Sequence, residues 1–529
     1  MNRRKRVWNH VTNIILPSVV FSGVAGAVTG ALIFAFRVIS EHVIEVSREI
    51  FLFANQNPAY IPLVVAGAVL VALVVSLCLS YSPHSRGGGI PTAVALMRGL
   101  ITFHWLRNII FVFTSALLSY LCGIPLGNDE GPAVQIGTAV GSGTTRVLGR
   151  KHHLAWERYV MTGGATAGFA VATGAPMAAV LFGLEEGHRR FSPLLLISSL
   201  TSVLAGMGTL KVLCYFADFE SALFHFEVVE VLPLSLTWVA IPIALLCGGF
   251  AYVFAKTTRL VRTVMHRIAK NVHPFFKVAP VFALVALVGC FSYACIGTGH
   301  SLIEALLEHR VVWYLALALL LARSVLVILS NDVGATGGLF TPLLVCGALI
   351  GSITAEVMIL TNVLESQYFM LLVVIGMASF FSASVRTPLT AAVFSVEVLS
   401  GFHNVLPILL AVLISYIIVE TIGVTSINEI AMEREVHKQH KGRTHRAFDV
   451  HVTVLPGTFA VGKEPRDILW PPFCHVLSVR KGNDEKDSYE GGALREGDIL
   501  RLNFTTYDAA RTAEELCAIL GEQEIYGKK

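Results

Sequence analysis

Charge is scarce in this sequence. Of its 529 residues, 14% are Asp, Glu, Lys or Arg, against about 25% in a soluble globular domain. Ile14–Phe36 and Pro58–Tyr81 carry no charge at all, and each reaches the roughly 20 residues that a membrane helix needs. Comparable runs recur as far as residue 419, several of them short or cut by Gly and Pro. That pattern argues against a bundle of full-length spans and for broken helices buried in protein. Paired cysteines are missing too. The nine cysteines are scattered with no CxxC spacing, which argues against a disulfide framework and a zinc site. There is no metal cluster, nucleotide loop or nucleophile arrangement, so neither an enzyme nor a cofactor is expected. The lack of a TVGYG-like segment speaks against a cation channel with a carbonyl filter. A net charge of +4 is too modest to suggest a nucleic-acid partner.

The chain starts Met1-Asn-Arg-Arg-Lys-Arg6. The apolar run after it is too long for the core of a signal peptide, so a retained first helix with its basic end in the cytosol is expected. Composition shifts near residue 430. Met432 to Arg446 is polar and basic, and beyond it short periods alternate. Strands are expected at Val450–Leu455, His475–Val479 and Asp498–Asn503, and helices at Glu464–Leu469 and Asp508–Leu520. The expected organisation is an all-α multi-pass membrane domain over residues 1–430, a basic linker over 431–447 and a small cytosolic α/β domain over 448–529.

The membrane part repeats itself. Pro132, Gly137 and Gly141 recur as Pro342, Gly347 and Gly351 with the same spacings. Gly164, Pro176 and Glu185 likewise recur as Gly376, Pro388 and Glu397. Pro132 and Pro342 lie 210 residues apart, and Pro176 and Pro388 lie 212 apart. Two sets at nearly one offset indicate duplication. Duplicated halves with broken helices are a transporter design, with the substrate site where the halves meet.

Three segments, Gly87–Pro91, Gly127–Pro132 and Gly337–Pro342, place glycines ahead of a proline suited to a helix's first turn. A helix N-terminus presents unpaired N–H groups and the positive end of its dipole, and glycine lets backbone approach an ion closely. One such segment alone reads as a kink or tight crossing. Three in a duplicated scaffold point to an anion site built from amides, which holds an ion without a full positive charge. Glu130 stands at one of these termini. An acidic residue there is ordinary dipole matching, but inside a membrane it is costly enough that function is the default reading. Glu185 and Glu186 close another apolar run before Gly187-His-Arg-Arg190. By residue type alone, an interfacial charge pair and a proton carrier fit them equally.

The sharpest stretches are Gly87-Gly-Gly-Ile-Pro91, Glu130-Gly-Pro-Ala-Val-Gln-Ile-Gly137, Gly337-Gly-Leu-Phe-Thr-Pro342 and Ala383-Ser-Val-Arg-Thr-Pro-Leu-Thr390. With them, most of residues 10–430 resembles the CLC chloride channels and chloride/proton antiporters. The resemblance implies the CLC fold of inverted repeats and a homodimer with one pore per subunit. It also implies a multi-pass protein of the plasma membrane with both termini cytosolic. Glu130 becomes the gate and Glu186 the internal proton-transfer residue. The residues expected around the anion are Gly88, Gly89, Ile90, Asp129, Gly131, Leu339, Phe340 and Asn428. The implied activity is proton-coupled chloride exchange; the alternatives are a passive voltage- or pH-gated chloride channel and a fluoride/proton antiporter.

The chain departs from the family pattern at its centre. The serine of the family's GSGIP is Gly88 here, and the tyrosine of the last membrane segment corresponds to Asn428. Both hydroxyl donors are therefore missing, although an amide NH₂ can still donate. Asn128 and Asp129 precede the gate where the family reads Gly-Arg-Glu-Gly-Pro or similar. A carboxylate at Asp129 repels an anion unless it is neutral or turned away. The asparagine near the gate and the lost serine resemble the fluoride-exporting branch. The tail resembles a TrkA-C domain in Gly457-Thr-Phe-Ala-Val-Gly462, Arg466-Asp-Ile-Leu-Trp-Pro471, His475-Val-Leu-Ser-Val479 and Ala493-Leu-Arg-Glu-Gly-Asp498. Such domains dimerise and bind small ligands, so two readings stand: a sensor for a small molecule, and a stabilising dimerisation module.

Overall fold

The structure, a computed structural model, describes residues 15–148, 153–219, 229–268, 272–308, 310–400, 402–442, 444–481 and 492–524. The basic start of the chain lies outside the described residues. The first eight helices are α1 (Leu16–Gln56), α2 (Ile61–Tyr81), α3 (Ile90–Met97), α4 (Trp105–Leu121), α5 (Glu130–Leu148), α6 (His153–Thr173), α7 (Pro176–Phe182) and α8 (Pro193–Ala217). They are followed by α9 (Ala240–Ile268), α10 (Pro274–Phe291), α11 (His300–Glu308), α12 (Trp313–Val333), α13 (Phe340–Leu360), α14 (Phe369–Val385), α15 (Pro388–Phe394), α16 (Val405–Ile422) and α17 (Ile427–Gln439). Among the described residues nine helical segments are long and apolar enough to cross a membrane, and the chain is a multi-pass membrane protein. Others are short: α3 has eight residues, and α7 and α15 have seven each. All three begin with a proline in the first turn, where the missing N–H costs nothing.

The repeated residues are those at which the two copies make equivalent contacts. Helices α5 and α6 cross where Gly137 faces Gly164, and a Cβ on either would stand 2.0–2.1 Å from the other's carbonyl oxygen. Helices α13 and α14 cross the same way at Gly347 and Gly376, with 2.4 and 2.3 Å. Glycine alone permits that approach. The acidic members of the repeat bind across the copies. Glu185 accepts the N–H groups of Leu389 (3.1 Å) and Thr390 (2.8 Å), which open α15. Glu397 accepts those of Met177 and Ala178 (3.0 Å each), which open α7. Each carboxylate thus satisfies the orphan donors of the other copy's helix. Both sit on single π-helical turns, Gly183–His188 and Ser395–Ser400.

The tail is a three-stranded antiparallel sheet with one helix. Strands β1 (Arg446–Thr453), β2 (Cys474–Arg480) and β3 (Ile499–Thr506) lie in the order β1-β3-β2. Helix α18 (Ala509–Leu520) buries Leu516, Ile519 and Leu520 in a core shared with Val452, Leu500, Leu502 and Phe504. Glu464–Leu469, expected as a short helix, holds only a 3-10 turn at Pro465–Asp467. Residues 431–439, expected in a linker, are the second half of α17, because Met432 and Glu435 extend a buried face begun by Ile427 and Ile430. The tail rests on the start of α6. Phe459 meets Trp156 edge-on at 5.1 Å, and the Tyr159 hydroxyl donates to the Asp467 carbonyl (2.8 Å) and accepts from the Leu469 N–H (2.9 Å).

Candidate functional site

The three Gly–Pro segments meet. Gly127 donates to the Gly338 oxygen at 2.5 Å and Gly338 donates back at 3.2 Å, an isolated antiparallel bridge between the repeated halves. Gly87 donates to Gly334 and accepts from Gly337, both at 3.4 Å. A Cβ on Gly89 would stand 2.2 Å from the Gly131 oxygen, and one on Gly131 would stand 2.4 Å from the Gly88 oxygen. The N-terminal ends of α3, α5 and α13 are therefore in backbone contact, where their dipoles jointly favour negative charge.

Glu130 opens α5 and is fully buried at this junction. Its Oε1 accepts the Thr341 hydroxyl at 2.5 Å, while Oε2 is buried with no hydrogen-bond partner. Thr341 lies in the first turn of α13, so the carboxylate spans from one copy's helix start to the other's. Sequence reasoning missed Thr341, because it occupies a variable position of the Gly-Gly-x-Phe-x-Pro pattern. Leu339 covers Gly88, where a Cβ would meet its Cγ at 3.1 Å. The Phe340 ring is fixed by Phe169, Phe381 and Phe394, with centroids 4.8–5.1 Å away.

Three of the expected anion neighbours have partners within the protein. The Ile90 N–H donates to the Gly88 oxygen at 2.7 Å, because Gly89 at φ 71°, ψ −58° folds a tight turn there. The Asp129 carboxylate faces α1: Oδ1 accepts from Ser40 at 2.8 Å, and Oδ2 lies 3.8 Å from the Arg37 guanidinium. A buried carboxylate needs such partners, and these turn it away from the glycine junction. Asn428 directs its amide to the Glu186 carboxylate, with Nδ2 donating to Oε1 at 3.2 Å.

Glu186 is buried on the π-helical turn. Arg98, just past α3, donates to the backbone oxygens of Glu186 and Gly187, both at 2.8 Å. Neither Arg98 nor Arg37 carried a sequence signal. Beside Gly87 and Gly88 a small cavity of about 30 Å³ lies among Arg86, Arg262 and Arg434, enough for one water-sized species. Among the described residues no group of three His, Cys, Asp or Glu side chains is placed to hold a metal.

The voltage-gated chloride channel family model matches residues 68–420, more than half of the chain. The chain belongs to that family. Members of this CLC family are transporters or channels, not enzymes. Among solved structures, a slow cyanobacterial Cl⁻/H⁺ antiporter is similar at 22% identity and TM-score 0.73, over 80% of this chain and 99% of its own. A eukaryotic CLC transporter matches at 21% identity and TM-score 0.66, over 79% of this chain and 74% of its own. A CLC-type fluoride/proton antiporter matches at 22% identity and TM-score 0.63, over 77% of this chain and 96% of its own. These likenesses establish the CLC fold for the membrane part. The matched residues end at 420, before the tail.

Proposed function

We propose that this CLC protein is a proton-coupled anion antiporter, with chloride as the first substrate and fluoride as the second. The observation that carries the reading is the seat of Glu130. Its carboxylate lies fully buried where the N-terminal ends of three helices meet, the place an anion would take. Protonation removes the charge that holds it there and leaves the amides to an anion. Glu186, on the face of the protein that bears the tail, exchanges protons with that side and is oriented by Asn428. Two carboxylates serving opposite sides favour exchange over passive conduction. Two fold neighbours, a Cl⁻/H⁺ antiporter and a fluoride/proton antiporter, support the same class and leave the anion to experiment.

The proposed antiporter is a homodimer in the plasma membrane with both termini cytosolic. Its transport domain is residues 1–430, and residues 448–529 form a TrkA-C-like module open to a small-molecule ligand. One feature favours a passive channel instead: Gly88 and Asn428 leave the centre without the family's side-chain hydroxyls. Purified protein in proteoliposomes, given a chloride or a fluoride gradient with external pH recorded, separates these cases. Uphill proton movement driven by either anion supports antiport. Anion flux without proton movement leaves the channel.

A further inference from the structure

Arg158 lies on α6, away from the glycine junction, yet its guanidinium joins two parts of the protein. Its Nε donates to the Met97 oxygen at 3.0 Å and one terminal nitrogen donates to the Arg98 oxygen at 2.9 Å. These carbonyls end α3, and a cation there meets both their unpaired acceptors and the negative end of the dipole. The other terminal nitrogen donates to the tail, to the oxygens of Leu469 (3.3 Å) and Trp470 (2.6 Å). The same tail loop is pinned by Tyr159 through Asp467 and Leu469.

Helix α3 is a short rod. Its eight residues span about 12 Å. One end abuts Gly131 through Gly89, and just past the other end Arg98 grips the Glu186 turn. Helix α17 runs alongside, from Asn428 on Glu186 to Gln439, which exchanges hydrogen bonds with Thr102. The tail therefore holds α3 at the end opposite the anion seat.

We propose that Arg158 is the positioning residue through which the tail sets α3, and with it the anion seat at Gly88–Gly89 and the Glu186 turn. The effect on the anion rests on the function proposed above; the mechanical link does not. Tyr159→Phe loosens the tail loop without touching α3, whereas Arg158→Gln breaks both grips. Hydrogen exchange on the full-length protein reads the link directly. Each variant is expected to speed exchange at Asp467–Trp470 and also at Gly87–Ile90, by about three- to tenfold for the loss of one or two hydrogen bonds. In proteoliposomes both should shift the KM for the anion in the same direction. The double variant should be no worse than Arg158→Gln alone, and Arg158→Lys should recover part of the effect. Wild-type exchange at Gly87–Ile90 in both variants overturns the proposal, as do additive effects. If the unmodified protein moves no anion, the functional reading fails by itself and the exchange result still decides the link.

Discussion

Thr341 gives its hydroxyl hydrogen to Oε1 of Glu130 at 2.5 Å, from a position 211 residues away in the chain. This bond holds the Glu130 carboxylate, the proposed gate, against the first turn of the opposite repeat. A hydrogen bond to a charged group contributes about 1.5–3 kcal/mol, enough to bias an open–closed equilibrium by about tenfold or more.

Thr341→Val keeps the shape and removes that donor. Anion turnover in proteoliposomes should rise several-fold, because the carboxylate leaves its seat more readily. Proton coupling should persist, since Glu130 is intact. Unchanged turnover would show that the bond does not limit gating.

Glu186→Gln should leave anion flux within about twofold and reduce proton flux by at least tenfold, if the residue carries protons. Asn428→Leu removes the amide that orients Glu186 and should produce a milder loss of proton flux. If both fluxes survive in Glu186→Gln, the residue is only a buried interfacial charge.

Gly88→Ser restores the missing hydroxyl. The new Cβ would stand 3.1 Å from the Leu339 Cγ, a crowding that a small shift of that side chain relieves. Chloride affinity by calorimetry should rise by about three- to tenfold, the worth of one added hydrogen bond. A fall in affinity would mean that Leu339 cannot yield.

Lys463 makes tail docking depend on pH. Burial beside Phe459 and Trp156 pushes its ammonium down to about 7. The undocked chain, with a lysine near 10.4, binds more protons between those values, so docking strengthens as pH rises from about 7 towards 10. Below pH 7 both forms are protonated and the penalty is fully present. Protection factors in the tail, which divide out the base-catalysed rise of intrinsic amide exchange, should increase across that window in the wild type, and the slope should vanish in Lys463→Met. An equal slope in the variant would assign it to another group.

The sequence disclosed what requires a particular residue type. Gly137, Gly164, Gly347 and Gly376 are legible because two backbones touch there, and Glu185 and Glu397 because each caps a helix of the other copy. Glu130 is legible for the same reason: a carboxylate at a buried helix start is rare without a purpose. Thr341, Arg37, Arg98 and Arg158 were not legible. Their roles depend on partners distant in sequence and often on backbone carbonyls, which no spacing rule marks. The directions of the Asp129 and Asn428 side chains follow from Ser40, Arg37 and Glu186, partners that no local motif names.

In the proposed antiporter the Glu130 carboxylate is both the gate and the proton acceptor. The most direct measurement is proton movement driven by a chloride gradient in proteoliposomes bearing Glu130→Gln, beside the wild type. The wild type is expected to move protons uphill, while the variant passes anion with no proton movement. Intact proton coupling in Glu130→Gln would contradict it.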